Sequence, residues 1–151
     1  MLGWLIIIIM QFENSLSFLF TQITNSFKVA LDKSLKQIGL HGGQIFILVS
    51  LWEEDGQSQI GLAQKLNLSP PTINKMVAGL SGTDFVKCEK CGKDGRVIRV
   101  FLTGKGLNVR AAVESQWLEF ESKVFAPLTE TEKLIFVQIL EKLKENLLPK
   151  V

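Results

Sequence analysis

No tyrosine, a single histidine and only two cysteines occur among the 151 residues of this chain, and each shortage narrows what the protein can be. Two cysteines cannot build the disulfide framework of a small secreted domain, so a reducing compartment, the cytoplasm, is expected. With His41 alone, no nucleophile motif, no phosphate-binding loop and no carboxylates visibly paired by the sequence, neither an enzyme nor a cofactor is expected. Long apolar runs are also scarce. "MLGWLIIIIM" is apolar over ten residues, whereas a membrane span needs about 20, and Gln11, Glu13 and Asn14 interrupt it. It carries no basic leader and no small-residue cleavage site. It reads first as a buried or partner-packed helix start, then as a mis-called start with Met10 as the true beginning, and last as a membrane anchor.

What is present is one domain's worth of apolar residues and an uneven charge. The length suits one folding unit, residues 1–151, with a substantial core. Residues 57–110 carry nine basic side chains against three acidic ones, a local charge of +6, which leaves −4 for the rest of a chain whose net charge is +2. A basic segment between acidic flanks fits one surface facing a polyanion, because phosphate attraction depends on the local field. A solvated face with scattered charge remains the alternative.

Periodicity divides the chain into six helices and one hairpin. Apolar residues from Leu16 to Ile38 recur at helical spacing and stop at Gly39. A second helix fits Gln44–Glu54, with Ile45, Leu48, Val49 and Trp52 on its apolar face and Gly56 ending it. Ser58 can cap a short third helix bearing Ile60, Leu62, Ala63 and Leu66. Ser69 can cap a fourth, with Pro70 at its first position and Ile73, Met76, Val77 and Leu80 inward. From Phe85 the period shifts to two, and Ile98, Val100 and Leu102 share a face, with "EKCGKDG" as the hairpin tip. Thr103 caps a fifth helix from Gly104 to Val124, and Thr129 opens a sixth that reaches Leu147. A lone hairpin is not independently stable, so it must pack beside the third and fourth helices.

"GLAQKLNLSPPTINKMVAGL" has the spacing of a helix-turn-helix. Ala63 is small where the helices touch, Asn67 suits a left-handed turn position, and Ile73 and Met76 anchor the second helix. Pro71, Thr72, Asn74, Lys75 and Ala78 then form its open face, and Thr, Asn and Lys can reach base edges and phosphates in a major groove. The basic hairpin that follows makes this a winged helix, whose tip would lay Lys90, Lys93 and Arg96 along phosphates and let an arginine enter the minor groove. Asp94 is either a brace that turns inward to a basic partner or a simple turn residue.

These residues resemble the MarR family of bacterial winged-helix transcriptional regulators across roughly residues 16–147. The most specific part is D-x-R followed by an apolar strand ending in L-T-x-x-G, here Asp94, Arg96, Leu102, Thr103 and Gly106. The resemblance implies a mainly helical fold with a small β-hairpin, in which a winged helix-turn-helix core, about 42–103, is flanked by dimerisation helices at 10–38 and 104–148. It implies that Ser69, Pro71, Thr72, Asn74 and Lys75 face the major groove, that Arg96 enters the minor groove, and that Asp94 braces the wing. The implied partners are a second copy of the chain and double-stranded DNA with a near-palindromic operator. Release of such repressors by a small aromatic or phenolic ligand, or by cysteine oxidation, is implied as well. His41, Phe46 and Trp52 fall near the place where relatives hold ligands, and they read as core or hinge packing. Gly95 before Arg96, Cys88 in place of a basic residue and Gly61 in place of a polar one depart from the family pattern and suggest a more flexible wing.

Cys88 and Cys91 admit three readings. They are ordinary thiols on a hairpin, with Cys88 partly buried; or an oxidation sensor whose thiolates are favoured by Lys87, Lys90 and Lys93; or half of a metal site that His41, a carboxylate or a partner subunit would complete. A winged helix that binds a protein instead of DNA is the remaining alternative to the regulator.

Overall fold

A computed structural model of the protein describes residues 13–91 and 96–147. The apolar decapeptide, Lys93 and Asp94 lie outside that range. Helix α1 spans Leu16–Leu35 and ends in a 3₁₀ turn, Lys36–Ile38, with Gly39 left-handed at φ 75°. Gly39 is the residue type that tolerates this stop. Then follow α2 (Gly42–Glu53), β1 (Gln57–Ser58), α3 (Gln59–Leu66), α4 (Pro70–Gly82), β2 (Val86–Cys91), β3 (Val97–Leu102), α5 (Gly104–Asn108), α6 (Arg110–Val124) and α7 (Glu130–Leu147).

Local signals set most of these boundaries. Ser58, Ser69 and Thr103 each accept a hydrogen bond from the backbone N–H three residues on, capping α3, α4 and α5, which contributes about 1 kcal/mol per cap. Asn67 adopts φ 50° between α3 and α4, as a left-handed turn requires. At the head of α7, Thr129 and Glu132 form a reciprocal capping box, with Thr129 N donating to Glu132 Oε2 at 2.8 Å and Glu132 N to Thr129 Oγ1 at 3.3 Å.

The structure differs from the sequence reading in several places. Helix α2 begins at Gly42, because Asp32 Oδ1 on α1 accepts Gly42 N at 2.6 Å and Gln44 Oε1 accepts His41 N at 2.9 Å. Its buried residues include Ile45, Ile47, Leu48 and Leu51, whereas Val49 and Phe46 are 41% and 49% exposed; the helix is apolar nearly all round, so its period does not reveal which side is covered. The expected fifth helix is two, α5 and α6, meeting at Val109. The bonds Val109 N to Lys105 O and Val113 N to Val109 O cross this junction with the four-residue spacing of an α-helix, so the coil continues through it. Ile60 is exposed on α3. The hairpin gains a third strand, and the antiparallel sheet runs β1-β3-β2, with Gln57 opposite Val100 and Ser58 opposite Arg99.

The core gathers Leu35, Leu48, Leu62, Ile73, Leu80 and Val100 beneath α4 and the sheet. Two close approaches seat α4 on α2. A Cβ on Gly43 would lie 2.6 Å from Met76 Cε, and one on Gly79 would lie 2.6 Å from Gln44 Nε2. The outer helices are covered less. In α1 only Leu31 and Leu35 are buried, while Leu16 and Ile23 stay 88% and 63% exposed. No residue of α7 is buried against the described chain.

Candidate nucleic-acid interface

Helix α4 presents a sharply divided surface. Ile73, Val77 and Leu80 are buried, and burial of each is worth about 1.5–3 kcal/mol. Pro71, Asn74, Lys75 and Ala78 one face away are exposed, with Thr72 half-buried between them. Ser69 and Thr72 hydroxyls lie 2.8 Å apart, so both are partly engaged by the cap. The fold thus brings Ser69, Pro71, Thr72, Asn74 and Lys75 to one end of an anchored helix. Arg96 is exposed immediately before β3.

The basic charge is less available than a count of lysines and arginines suggests. Lys65 pairs with Glu53 at 2.9 Å, Lys87 with Glu89 at 2.8 Å and Arg110 with Glu114 at 2.9 Å. Arg99 Nη1 donates to Gly56 O at 2.8 Å. Lys105 Nζ donates to Thr83 O at 2.7 Å while standing 4.4 Å from the centre of the Phe85 ring. Lys75 and Lys90 are exposed with no such partner among the described residues. The exposed pairs are individually weak and can open toward a phosphate, but Arg99 and Lys105 are tied to backbone oxygens and shape the protein itself.

Both cysteines stand in strand β2, not in the tip, with Cys88 opposite Val100 and Cys91 opposite Val97. Three residues of strand separate their Cα atoms by about 10 Å and the odd spacing turns them to opposite faces, whereas a disulfide needs Cα atoms within about 7 Å. Cys88 is exposed and Cys91 is the half-buried one, the reverse of the expectation; partial desolvation still pushes the Cys88 thiol above its usual pKa, opposite to the lowering expected from neighbouring lysines. Lys87 lies on the other face of the strand, against Glu89 and 5.8 Å from the Phe101 ring centre. Among the described residues no three His, Cys, Asp or Glu side chains come together to hold a metal ion. No helix of the described chain is long and apolar enough to cross a membrane.

Between α2 and α6 lies a cleft of about 550 Å³ lined by Phe46, Val49, Trp52, Arg110, Val113 and Trp117 among others. Phe46 and Trp52 both wall this cleft, Trp52 half-buried and packed against the core as well, Phe46 exposed, and His41 is exposed at the start of α2. Trp52 Nε1 donates to Gly106 O at 3.0 Å and the Arg110 guanidinium stands 5.7 Å from its ring centre.

A helix-turn-helix of α3 and α4 followed by the β2–β3 hairpin defines a winged-helix domain. Residues 40–98 match the sequence model of the MarR family. Beyond that segment, the chain is similar along nearly its whole length to a transcriptional regulator and to solved structures of this fold. The HTH-type transcriptional regulator BilQ of Clostridium symbiosum (strain WAL-14163) is 24% identical over 131 residues, 87% of this chain and 91% of BilQ. The crystal structure of the Staphylococcus aureus MepR–DNA complex superposes with a TM-score of 0.77 at 25% identity, covering 89% of this chain and 99% of that one. Overoxidized AbfR bound to DNA superposes with a TM-score of 0.68 at 28% identity, covering 91% and 96%.

Proposed function

We propose that this chain is a homodimeric transcriptional regulator that binds a near-palindromic duplex operator and acts as a repressor released by a small aromatic ligand. The observation that carries the reading is the exposed polar end of α4, held rigidly by Ile73, Val77 and Leu80 beside a wing bearing Lys90 and Arg96. A rigid helix with Thr72, Asn74 and Lys75 outward suits major-groove readout, and the wing arginine suits the minor groove. The described family neighbours that are DNA complexes, MepR and AbfR, support the same partner.

The dimer reading is supported by the outer helices. Leu16, Leu19, Phe20 and Ile23 on α1, with Leu134, Ile135, Val137 and Leu140 on α7, leave an apolar surface that a monomer does not cover, and surfaces of that kind mark interaction sites. Ligand response is favoured over oxidation because the cleft beside α2 is walled by the aromatic rings of Phe46, Trp52 and Trp117, whereas Cys88 and Cys91 stand on opposite faces of β2. Selection of genomic DNA fragments bound by the purified protein, followed by titration of the winning duplex, tests the reading. Recovery of one enriched near-palindromic sequence, bound by two protomers, is the expected result. Failure to bind any duplex at low salt would leave the winged helix as a protein-interaction module.

A further inference from the structure

We propose that Asp55 is the positioning residue that sets the angle of the wing against α4, an inference that rests on the DNA-binding reading above. Strand β1 stops at Gln57, opposite Val100. Extending that register by two residues puts position 55 opposite Leu102, yet the chain has already turned away through Gly56 at φ 72°. The Asp55 side chain fills the missing rung. Its Oδ1 accepts Leu102 N at 2.9 Å and Gly56 N at 2.9 Å. From the other side, Arg99 Nη1 of β3 donates to Gly56 O at 2.8 Å, and the Phe101 ring packs so closely that a Cβ on Gly56 would lie 2.6 Å from it.

The same turn is sealed to α2. Gln57 Nε2 donates to Glu54 O at 2.7 Å, just past the end of α2, and to Ser50 O at 2.6 Å, which also accepts Glu54 N at 3.1 Å. Besides the β1–β3 pairing, the central strand of the wing is thus tied to the turn after α2, the helix on which α4 is seated, by the Asp55 carboxylate and the Arg99 guanidinium, both bonded to backbone. Asp55 is exposed at the surface and stands outside α4 and the β2–β3 hairpin, so its effect on DNA passes through wing geometry.

The test compares Asp55→Ala and Asp55→Asn with the unaltered protein, at a temperature where circular dichroism shows all three folded. Amide hydrogen exchange at Leu102 and Gly56 is measured without DNA, and affinity for the duplex selected by the unaltered protein is measured across a salt series. Asp55→Ala is expected to expose the Leu102 amide and weaken binding by about tenfold, the worth of one charge-assisted hydrogen bond, with the salt slope unchanged. Asp55→Asn keeps an acceptor oxygen and should recover much of both. A Leu102 amide as protected in Asp55→Ala as in the unaltered protein, or full affinity in a variant whose amide has opened, overturns the inference. If the unaltered protein binds no duplex, the DNA-binding reading fails and takes the proposed role of Asp55 with it, while the exchange data still report whether Asp55 holds β3.

Discussion

Removing Lys75 tests the interface most directly, because its effect has a calculable size and a built-in comparison. Lys75 is exposed on α4 and bonded to nothing in the described chain, whereas Lys105 is held by Thr83 O at 2.7 Å and stacked on Phe85. Each phosphate neutralised by a protein cation contributes about 0.9 to the slope of log affinity against log salt. Lys75→Ala in both protomers of a dimer therefore flattens that slope by about 1.8. Between 50 and 200 mM salt the logarithm of concentration changes by about 0.6, so the unaltered protein should lose about tenfold more affinity than the variant over that range. Lys105→Ala should leave the slope where it was, although it can lower stability. Fluorescence anisotropy of a labelled duplex at five or more salt concentrations measures both. An unchanged slope for Lys75→Ala, or an equal flattening for Lys105→Ala, would mean that α4 does not face the phosphates in the manner proposed. A change near 0.9 would instead indicate one engaged protomer.

Three further outcomes follow from local geometry. A Cβ on Gly106 would overlap the Phe85 carbonyl oxygen, which also accepts Thr103 N at 3.1 Å, and relief would pull Gly106 O from Trp52 Nε1; Gly106→Ala should cost about 3 kcal/mol and roughly 10 °C in Tm, and a calorimetric Tm equal to that of the unaltered protein would contradict the packing described. Diamide treatment of the folded protein should give no link between Cys88 and Cys91, because β2 holds them on opposite faces; mass spectrometry should find that link only after the wing is unfolded in denaturant, and its formation in buffer would refute the strand assignment. Hydrogen bonds from Thr129 backbone and side chain hold the Glu132 carboxyl below its usual pKa, so its contribution is present above the unfolded value and is lost as pH falls through the folded one. The stability gap between the unaltered protein and Glu132→Ala should accordingly be constant near neutrality and close in acid, as thermal melts at several pH values would register.

Much of the winged helix is legible because its determinants are short-range. Ser58, Ser69 and Thr103 cap the helices that follow them within three residues, and Asn67 needs only its own backbone to turn α3 into α4. Strand β1 is different: two residues cannot show an alternation, and their strand character is conferred by Val100 and Arg99, more than 40 positions away. The outer helices pose the converse difficulty. Period identifies Leu16, Leu19, Phe20 and Ile23 as one apolar face but says nothing about what covers it, and within one chain it stays largely open.

The wing shows why residue type alone misleads in both directions. C-x-x-C suggests thiols acting together when the motif lies on a turn or at a helix start, and the sequence places it beside two glycines that invite that reading. In β2 the same spacing divides the pair between two faces, so the partner of each cysteine is whatever packs on its own side. Asp55 is the opposite case: an acidic residue before glycine reads as a turn and nothing more. Its importance comes from a register set by β3, which brings the Leu102 N–H to the point where β1 has no carbonyl left to offer. A carboxylate outside the hairpin therefore holds the root of the wing by a mechanism visible in the register. The brace expected at Asp94 lies outside the described residues, so the support that the register makes visible is the one at the root.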